Sequence, residues 1–178
     1  VPIFQVDAFT DRIFGGNPAA VCPLKEWLDE KTMQRLAQEN NLSETAFFVK
    51  NGDEYDLRWF TPEVEVDLCG HATLATAHVL FEHLGYVEDE IRFRTKSGLL
   101  TVKKEDERLM MDFPTDDMPQ VDPPAVLFQA LGIRSDHVFF TDDYMVVLDS
   151  EEEVQNLEPD FRLLSEVNAR GVIVTAPG

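Results

Sequence analysis

One stretch of the chain, Asp67–Leu84, constrains the fold more than any other segment of its 178 residues. It begins with a Cys-Gly-His triplet and continues as a run that would be apolar on nearly every face of a helix. A helix that is apolar most of the way round belongs in the interior of a domain, and Gly85 suits the position after a helix end. The sequence therefore predicts a buried central helix over residues 71–84.

The start of this helix is a candidate functional site. Gly70 and His71 open the helix and Cys69 comes directly before them. The unpaired N–H groups of a helix start carry partial positive charge and bind carboxylates or phosphates. Imidazole moves protons near neutral pH, and a thiol at a helix start can act as a base. The plainer interpretation is a capping or core histidine beside a buried, inert thiol.

Two further clusters are candidates for the same chemistry. Ser43 and Glu44 come just before an apolar strand, Ala46–Val49. A carboxyl group at the edge of a buried strand is partly removed from water, which suits general acid-base work. The loop 15–18, which contains Asn17, can aim backbone N–H groups at an anion. A solvated turn glutamate and a structural glycine turn are the alternatives.

The cysteines and histidines show no spacing that is typical of a metal site. His78 and His83 are five residues apart, which places them off one face of a regular helix. Cys22 and Cys69 belong to no Cys-x-x-Cys or Cys/His pattern. We therefore expect no metal ion, no structural zinc and no disulfide framework.

Charge and hydropathy exclude several classes of partner. A formal net charge of −19 argues against a nucleic-acid surface, which needs clustered Lys and Arg, and disfavours anionic membranes. No apolar run is long enough to cross a membrane, and the first residues show no signal-peptide pattern. The expectation is a cytoplasmic, soluble protein without nucleic-acid or membrane partners.

Shorter patterns predict strands and helices along the rest of the chain. The predicted strands are Ile3–Phe9, Ala19–Pro23, the turn and strand Asn41–Val49, Asp56–Phe60, Ile91–Lys96, Leu99–Lys104, Arg108–Phe113, Val138–Phe140, Tyr144–Leu148 and Gly171–Thr175. The predicted helices besides the central one are Asp29–Asn40, Ala125–Leu131 and Asp160–Val167. The proline- and aspartate-rich segment 114–124 predicts a connection between a first lobe, 1–113, and a partial second lobe, 125–178.

Three motifs in order closely resemble the PhzF-like family of phenazine-biosynthesis proteins. They are FQVDAFTDRIFGGNPAAV at 4–21, ENNLSETAF at 39–47 and RWFTPEVEVDLCGHATLATAHVLF at 58–81, and the similarity extends through YMVVLDSEEEVQNL and ARGVIVTAPG. The resemblance implies a diaminopimelate-epimerase-like α+β fold. Two pseudo-symmetric lobes would each wrap a mixed, mainly antiparallel sheet around a central helix, with the active site between them. The family's EDPVTGSAH-like segment does not occur in this sequence, so an incomplete second lobe is expected.

The resemblance also implies a reaction and roles for particular residues. Members of the family are cofactor-independent isomerases, and the best understood moves a hydrogen on a dihydro-hydroxyanthranilate. Glu44 matches the proton-shuttling glutamate, and His71 would hydrogen-bond a small carboxylate substrate. The residues expected to contact the substrate are Asn17, Ser43, Cys69, Gly70, Ala72 and Thr73. Homodimers are usual in the family, so a homodimer is expected here.

Two other functions stay open on the sequence alone. A racemase or epimerase on the same fold would use Cys69 as one of two facing thiol bases, although the only other cysteine, Cys22, lies in the same lobe. A non-catalytic protein that binds small molecules would keep the fold but lack part of the site.

Overall fold

The computed structural model describes residues 1–12, 14–113, 115 and 117–177, and the chain folds as two compact units. The first unit is Val1–Phe113 and the second is Pro114–Gly178. Residues 115 and 117–124, predicted as a connection, are grouped with the second unit, whereas Pro114 and Asp116 lie outside the described residues. Gln120 forms an isolated antiparallel bridge with Phe139, which ties this segment to the second unit.

The first unit is built on one eight-stranded sheet. Its strands are β1 (Phe4–Ala8), β2 (Asn17–Leu24), β3 (Glu44–Asn51), β4 (Glu54–Phe60), β5 (Glu65–Val66), β6 (Glu90–Thr95), β7 (Gly98–Glu105) and β8 (Arg108–Asp112). They follow the order β1-β2-β3-β4-β6-β7-β8, with β5 paired to β4. The β2–β3 and β4–β6 pairs are parallel and the other pairs are antiparallel, so the predicted mixed, mainly antiparallel sheet is confirmed.

Two helices cover the two faces of this sheet. Helix α1 (Glu30–Asn40) begins at Asp29, whose side chain accepts from the Thr32 N–H, and ends at Asn41 in the left-handed region. Helix α2 (Gly70–His78) lies on the opposite face. Successive residues of β2 show the division: Val21 packs in the α2 core, whereas Cys22 packs with Met33 of α1.

Helix α2 is buried, as the sequence predicts. Strands β1, β2, β3 and β8 all contact it, so the sheet curls round the helix from one end of its strand order to the other. Every α2 residue except Gly70, Leu74 and His78 is buried. Burying a large apolar side chain contributes roughly 1.5–3 kcal/mol, so this interface supplies much of the unit's stability.

The predicted helix over 71–84 is helical through His83, but its second part is a π-helical turn rather than α-helix. The α-helix ends at His78, and Val79–His83 forms a single π-helical turn in which the Leu84 N–H donates to the carbonyl oxygen of Val79. The wider turn places residues five apart above one another. The rings of His78 and His83 therefore lie 5.8 Å apart, which corrects the expectation that they lie on different faces.

The second unit contains a three-stranded sheet and three short helices. Its elements are α3 (Ala125–Leu131), β9 (His137–Phe140), β10 (Asp143–Val147), α4 (Glu151–Gln155), α5 (Phe161–Leu164) and β11 (Gly171–Thr175). Strand β10 lies in the middle, antiparallel to β9 and parallel to β11. The apolar cores of the two units are built from separate sets of residues.

Two helices of the second unit differ from the sequence prediction. The predicted helix 160–167 is only one turn long, because the Ser165 hydroxyl donates to the Arg162 carbonyl and ends the regular bonding. Helix α4 was not predicted, although its capping box is visible in the sequence: Ser150 caps the Glu153 N–H, and the Glu153 side chain accepts from the Ser150 N–H.

Strands and helices in both units give an α+β fold, as predicted. Among the described residues, the structure contains no helix with the length and apolar character needed to span a membrane.

Candidate active site

Glu44 is the first residue of β3, and the alternation of that strand directs it toward α2. Ala46 and Phe48 pack in the core around α2, whereas Phe47 packs with α1 on the other face. Glu44 shares the parity of Ala46 and Phe48, so its side chain extends on the α2 face. Next to it, Thr45 is buried and accepts a hydrogen bond from the Asn40 side chain, which fixes the strand at this point.

His71, the second residue of α2, lies beside Glu44. Its Nε2 atom is 3.1 Å from Oε2 of Glu44, and 9% of the histidine side chain and 19% of the glutamate side chain are exposed. The pair is close but not aligned for a hydrogen bond. Within the described part of the chain, neither Glu44 Oε2 nor His71 Nε2 has a hydrogen-bond partner. Buried polar atoms are nearly always paired, so these two atoms make the pair a candidate point of ligand binding.

Cys69 completes a compact group with these two residues. It is the residue before α2, in an extended conformation, and its Sγ atom lies 3.5 Å from Nδ1 of His71. Burial raises the pKa of the Cys69 thiol to about 12; the neighbouring Ala72 N–H lowers it and the charge of Glu44 raises it. The thiol is therefore protonated at neutral pH, which disfavours Cys69 as the base of a racemase.

The first turn of α2 can contact a ligand through its backbone N–H groups rather than through the side chains of Ala72 and Thr73. Ala72 and Thr73 are both fully buried, and the Thr73 hydroxyl donates to the Cys69 carbonyl at 2.6 Å. Gly70 leaves room for a neighbour, since a β-carbon there would lie 3.1 Å from the ring of Phe113. Of the residues expected to bind substrate here, Ala72 and Thr73 thus have their side chains in the core.

Asn17 and Ser43 are joined at the same end of the sheet. The Ser43 hydroxyl donates to Oδ1 of Asn17 at 3.1 Å, and Ser43 directly precedes Glu44. Asn17 belongs to β2, not to the predicted loop. The chain turns one residue earlier at Gly16, whose φ is +69° and whose β-carbon would lie 2.2 Å from the Ala8 carbonyl oxygen. Ile13, two residues before that loop, lies outside the described residues.

A group of ion pairs, which the sequence analysis missed, holds in place the segment that precedes α2. Arg58 donates from Nε to one oxygen of Glu65 at 2.7 Å and from Nη2 to the other at 2.8 Å. Lys96 Nζ lies 2.6 Å from Glu65, and the Ser97 hydroxyl donates to the Asp67 carbonyl at 2.7 Å. Arg58 and Glu65 are seven residues apart and are brought together by the register of β4 with β5. Lys96 and Ser97 come from the turn between β6 and β7, and no local motif pairs them with this segment.

Solved structures of other proteins share this fold. A PhzF-family protein of Enterococcus faecalis superimposes with a TM-score of 0.90 at 47% identity, over 97% of this chain and 66% of that one. A predicted epimerase of Pseudomonas aeruginosa shares the fold, with a TM-score of 0.69 at 21% identity over 97% of this chain and 68% of its own. The chain thus shares its fold with these two proteins.

Sequence comparison gives the family. Residues 6–178 match the PhzC-PhzF family, described as phenazine biosynthesis-like protein. An uncharacterized isomerase of P. aeruginosa is 55% identical over 174 residues, which cover 98% of this chain and 67% of that protein. The chain belongs to the PhzC-PhzF family, as the three motifs predict. It spans about two thirds of the length of these relatives.

Proposed function

We propose that this protein is an isomerase that moves a hydrogen on a small carboxylate by acid-base catalysis through Glu44. The observation that carries the proposal is the largely buried Glu44–His71 pair, whose facing atoms, Oε2 and Nε2, lie 3.1 Å apart and have no hydrogen-bond partner among the described residues. Relatives with the name isomerase support the reaction class. A small carboxylate, either cyclic or an aromatic precursor, is proposed as substrate from the resemblance of the three motifs to the PhzF-like family.

The proposed reaction has two proton transfers. The ionised Glu44 carboxylate takes a proton from a carbon of the substrate, and the electron pair of that C–H bond is delocalised into the adjoining unsaturated system. Protonated Glu44 then returns the proton to a different carbon, so that a double bond shifts and the enzyme regains its first state. Positioned acids and bases of this kind contribute about 10²–10⁴-fold to a rate.

His71 and the start of α2 bind and orient the substrate in this proposal. The His71 imidazole is placed to hydrogen-bond a polar group beside the reacting carbon. The N–H groups at the start of α2 favour a carboxylate through the helix dipole. Such local donors matter because the net charge of −19 repels an anionic substrate at long range.

The test is hydrogen exchange at carbon, catalysed by the purified natural gene product. Unsaturated cyclic and acyclic carboxylates are incubated with the protein in D₂O and followed by proton NMR for isomerisation and deuterium uptake. The Glu44→Gln variant should lose at least about 100-fold in rate while keeping its circular dichroism spectrum and melting temperature. Glu39→Gln, at an exposed glutamate of α1, is the matched control and should retain full activity.

Two outcomes would refute the proposal. One is undiminished turnover by Glu44→Gln on a substrate that the wild-type protein isomerises. The other is tight binding of carboxylates by the wild-type protein with neither isomerisation nor deuterium uptake, which would favour a non-catalytic binding protein.

A further inference from the structure

We propose that Glu44, Cys69 and His71 also form a binding site for a thiophilic divalent cation, best matched by Zn²⁺, and that the bound metal inhibits the enzyme. The ligand atoms of the three residues, one from each, all lie within 4.8 Å of one another. That metal binds here does not depend on the proposed function. The inhibition does, because it requires Glu44 to be the proton-transferring group. This inference replaces the expectation from sequence that the chain has no metal site.

The composition of the site selects the metal. A thiol, an imidazole and a carboxylate form the mixed sulfur, nitrogen and oxygen set that Zn²⁺ and Co²⁺ prefer, whereas Mg²⁺ and Ca²⁺ require oxygen ligands. Three protein ligands leave a fourth position for water or for an anionic ligand. The sequence gives little sign of this set, because Glu44 belongs to a distant strand and Cys69 and His71 are only two residues apart.

The distance between Glu44 and His71 fits a shared metal ion, whereas Cys69 must rotate to reach it. Zinc bonds of about 2.0–2.2 Å to nitrogen and oxygen span the 3.1 Å between His71 Nε2 and Glu44 Oε2 with an angle of about 97° at the metal. The Sγ atom of Cys69 lies 3.5 Å from the other ring nitrogen, Nδ1. Since one metal uses one ring nitrogen, an ion bound by Nε2 of His71 and by Glu44 is reached by Cys69 after rotation of the Cys69 side chain, whose Sγ lies within the 4.8 Å that encloses the three ligand atoms.

The two facing atoms have no aligned hydrogen bond, which is the second observation that points to a ligand. His71 is 8% exposed, and its Nε2 and Glu44 Oε2 both lack a hydrogen-bond partner within the described residues. A bound cation would pair with both atoms at once. On binding, the Cys69 thiol becomes a thiolate, and its proton passes to the solvent. No oxidation or reduction takes part. The start of α2 adds partial positive charge that stabilises the thiolate.

The experiment uses Co²⁺ as a spectroscopic probe and Zn²⁺ as its competitor on the chain of residues 1–178. Wild-type protein should bind one equivalent of Co²⁺ with a thiolate-to-cobalt charge-transfer band, and Zn²⁺ should abolish that band. Cys69→Ser should lose the band and weaken Zn²⁺ binding at least about 100-fold, because changes in outer-shell partners alone already cost about 10–100-fold. Glu44→Gln should keep the band but bind more weakly.

Two control variants separate this site from others. Cys22→Ser removes the other free cysteine, which is buried beside α1, and His83→Gln disrupts the close pair formed by His78 and His83. Both should bind Co²⁺ and Zn²⁺ like the wild type. Melting curves of the metal-free variants identify any that fail to fold, and the conservative Glu44→Gln change then decides whether the site exists.

The proposal is overturned if wild-type protein shows no saturable Co²⁺ or Zn²⁺ binding, if the band persists in Cys69→Ser, or if it disappears in Cys22→Ser. Inhibition is measured on the natural gene product, where the Zn²⁺ concentration for half-inhibition should match the dissociation constant. A charge-transfer band together with full activity of Glu44→Gln would overturn the proposed function and leave the metal site standing.

Discussion

Arg58 and Glu65 form a two-point ion pair, with Nε and Nη2 donating to separate carboxylate oxygens at 2.7 and 2.8 Å. The Arg58 guanidinium also lies over the rings of Trp27 and Phe60, 5.6 and 5.2 Å from their centroids. These cation–π contacts help to fix its position beside the carboxylate. Glu65 lies in β5, four residues before Cys69. The pair therefore stabilises the segment that delivers the thiol and the start of α2.

We expect Glu65→Gln to lower the free energy of unfolding of the first unit by about 1–3 kcal/mol, the usual range for a lost charge-assisted hydrogen bond. The amide keeps the shape of the side chain but can accept through only one oxygen. Urea denaturation followed by tryptophan fluorescence measures the change. Glu63→Gln, at an exposed glutamate two residues earlier, should unfold like the wild type; an equal loss in both variants would contradict the role of the pair.

The same pair predicts how stability depends on pH. The hydrogen bond from Arg58, and after it that from Lys96, hold the pKa of Glu65 below its usual value. A lowered folded-state pKa gives stability that is present above the unfolded-state value of about 4.3 and is lost as the pH falls through the folded-state value. The difference in unfolding free energy between wild type and Glu65→Gln should thus be constant at neutral pH and shrink in acid. A difference that does not change down to the acid unfolding limit would contradict this.

The close approach of Phe113 to Gly70 predicts a coupling that a double-mutant cycle measures. A β-carbon at Gly70 would lie 3.1 Å from Cε2 of Phe113. Alanine favours a helix over glycine by about 1 kcal/mol, so Gly70→Ala should be neutral or destabilising beside Phe113 and stabilising in a Phe113→Ala background. The coupling should be at least about 0.5 kcal/mol in thermal or urea unfolding. Additive effects would show that the ring moves aside freely.

His71 should matter to activity more than its burial alone suggests. We expect His71→Gln to lower kcat/KM by about 10²-fold or more through loss of the hydrogen bond that the imidazole makes to the substrate. His78→Gln, an exposed change on the same helix, should leave it unchanged. The pH profile of kcat/KM separates the two possible roles: a histidine that only packs would lower stability without altering the profile. An unaltered profile with unaltered kcat/KM would remove His71 from the proposed site.

Most of the fold was predictable because its elements carry local signals. Each of these signals is enough to predict the element that carries it: the apolar run after His71, the acids at the start of α1 and the strand patterns. The π turn depends on packing instead. An α-helical and a π-helical end share the same apolar pattern, and the choice depends on contacts such as the stacking of Phe4 on His83. Local competition from Ser165 shortened α5 in the same way.

The candidate site was predictable in its members but not in its geometry. Glu44, Cys69 and His71 were named from motifs, yet only the strand alignment brings Glu44 to the start of α2. No sequence signal distinguishes a protonated, buried Cys69 from a reactive one, since the pKa depends on surroundings contributed by the whole sheet. The expected homodimer stays a prediction.

The π turn at Val79–His83 also determines how the side chains between α2 and β6 are oriented about the helix axis. An α-helix advances 100° per residue, so the one extra residue rotates everything beyond it by roughly that angle. Tyr86 then meets Tyr55 and Phe81 edge-on, with ring centroids 6.1 and 5.7 Å away, before the chain enters β6. The extra residue thus sets the direction in which the side chains after the helix point. Its deletion would bring a different side chain to that aromatic cluster.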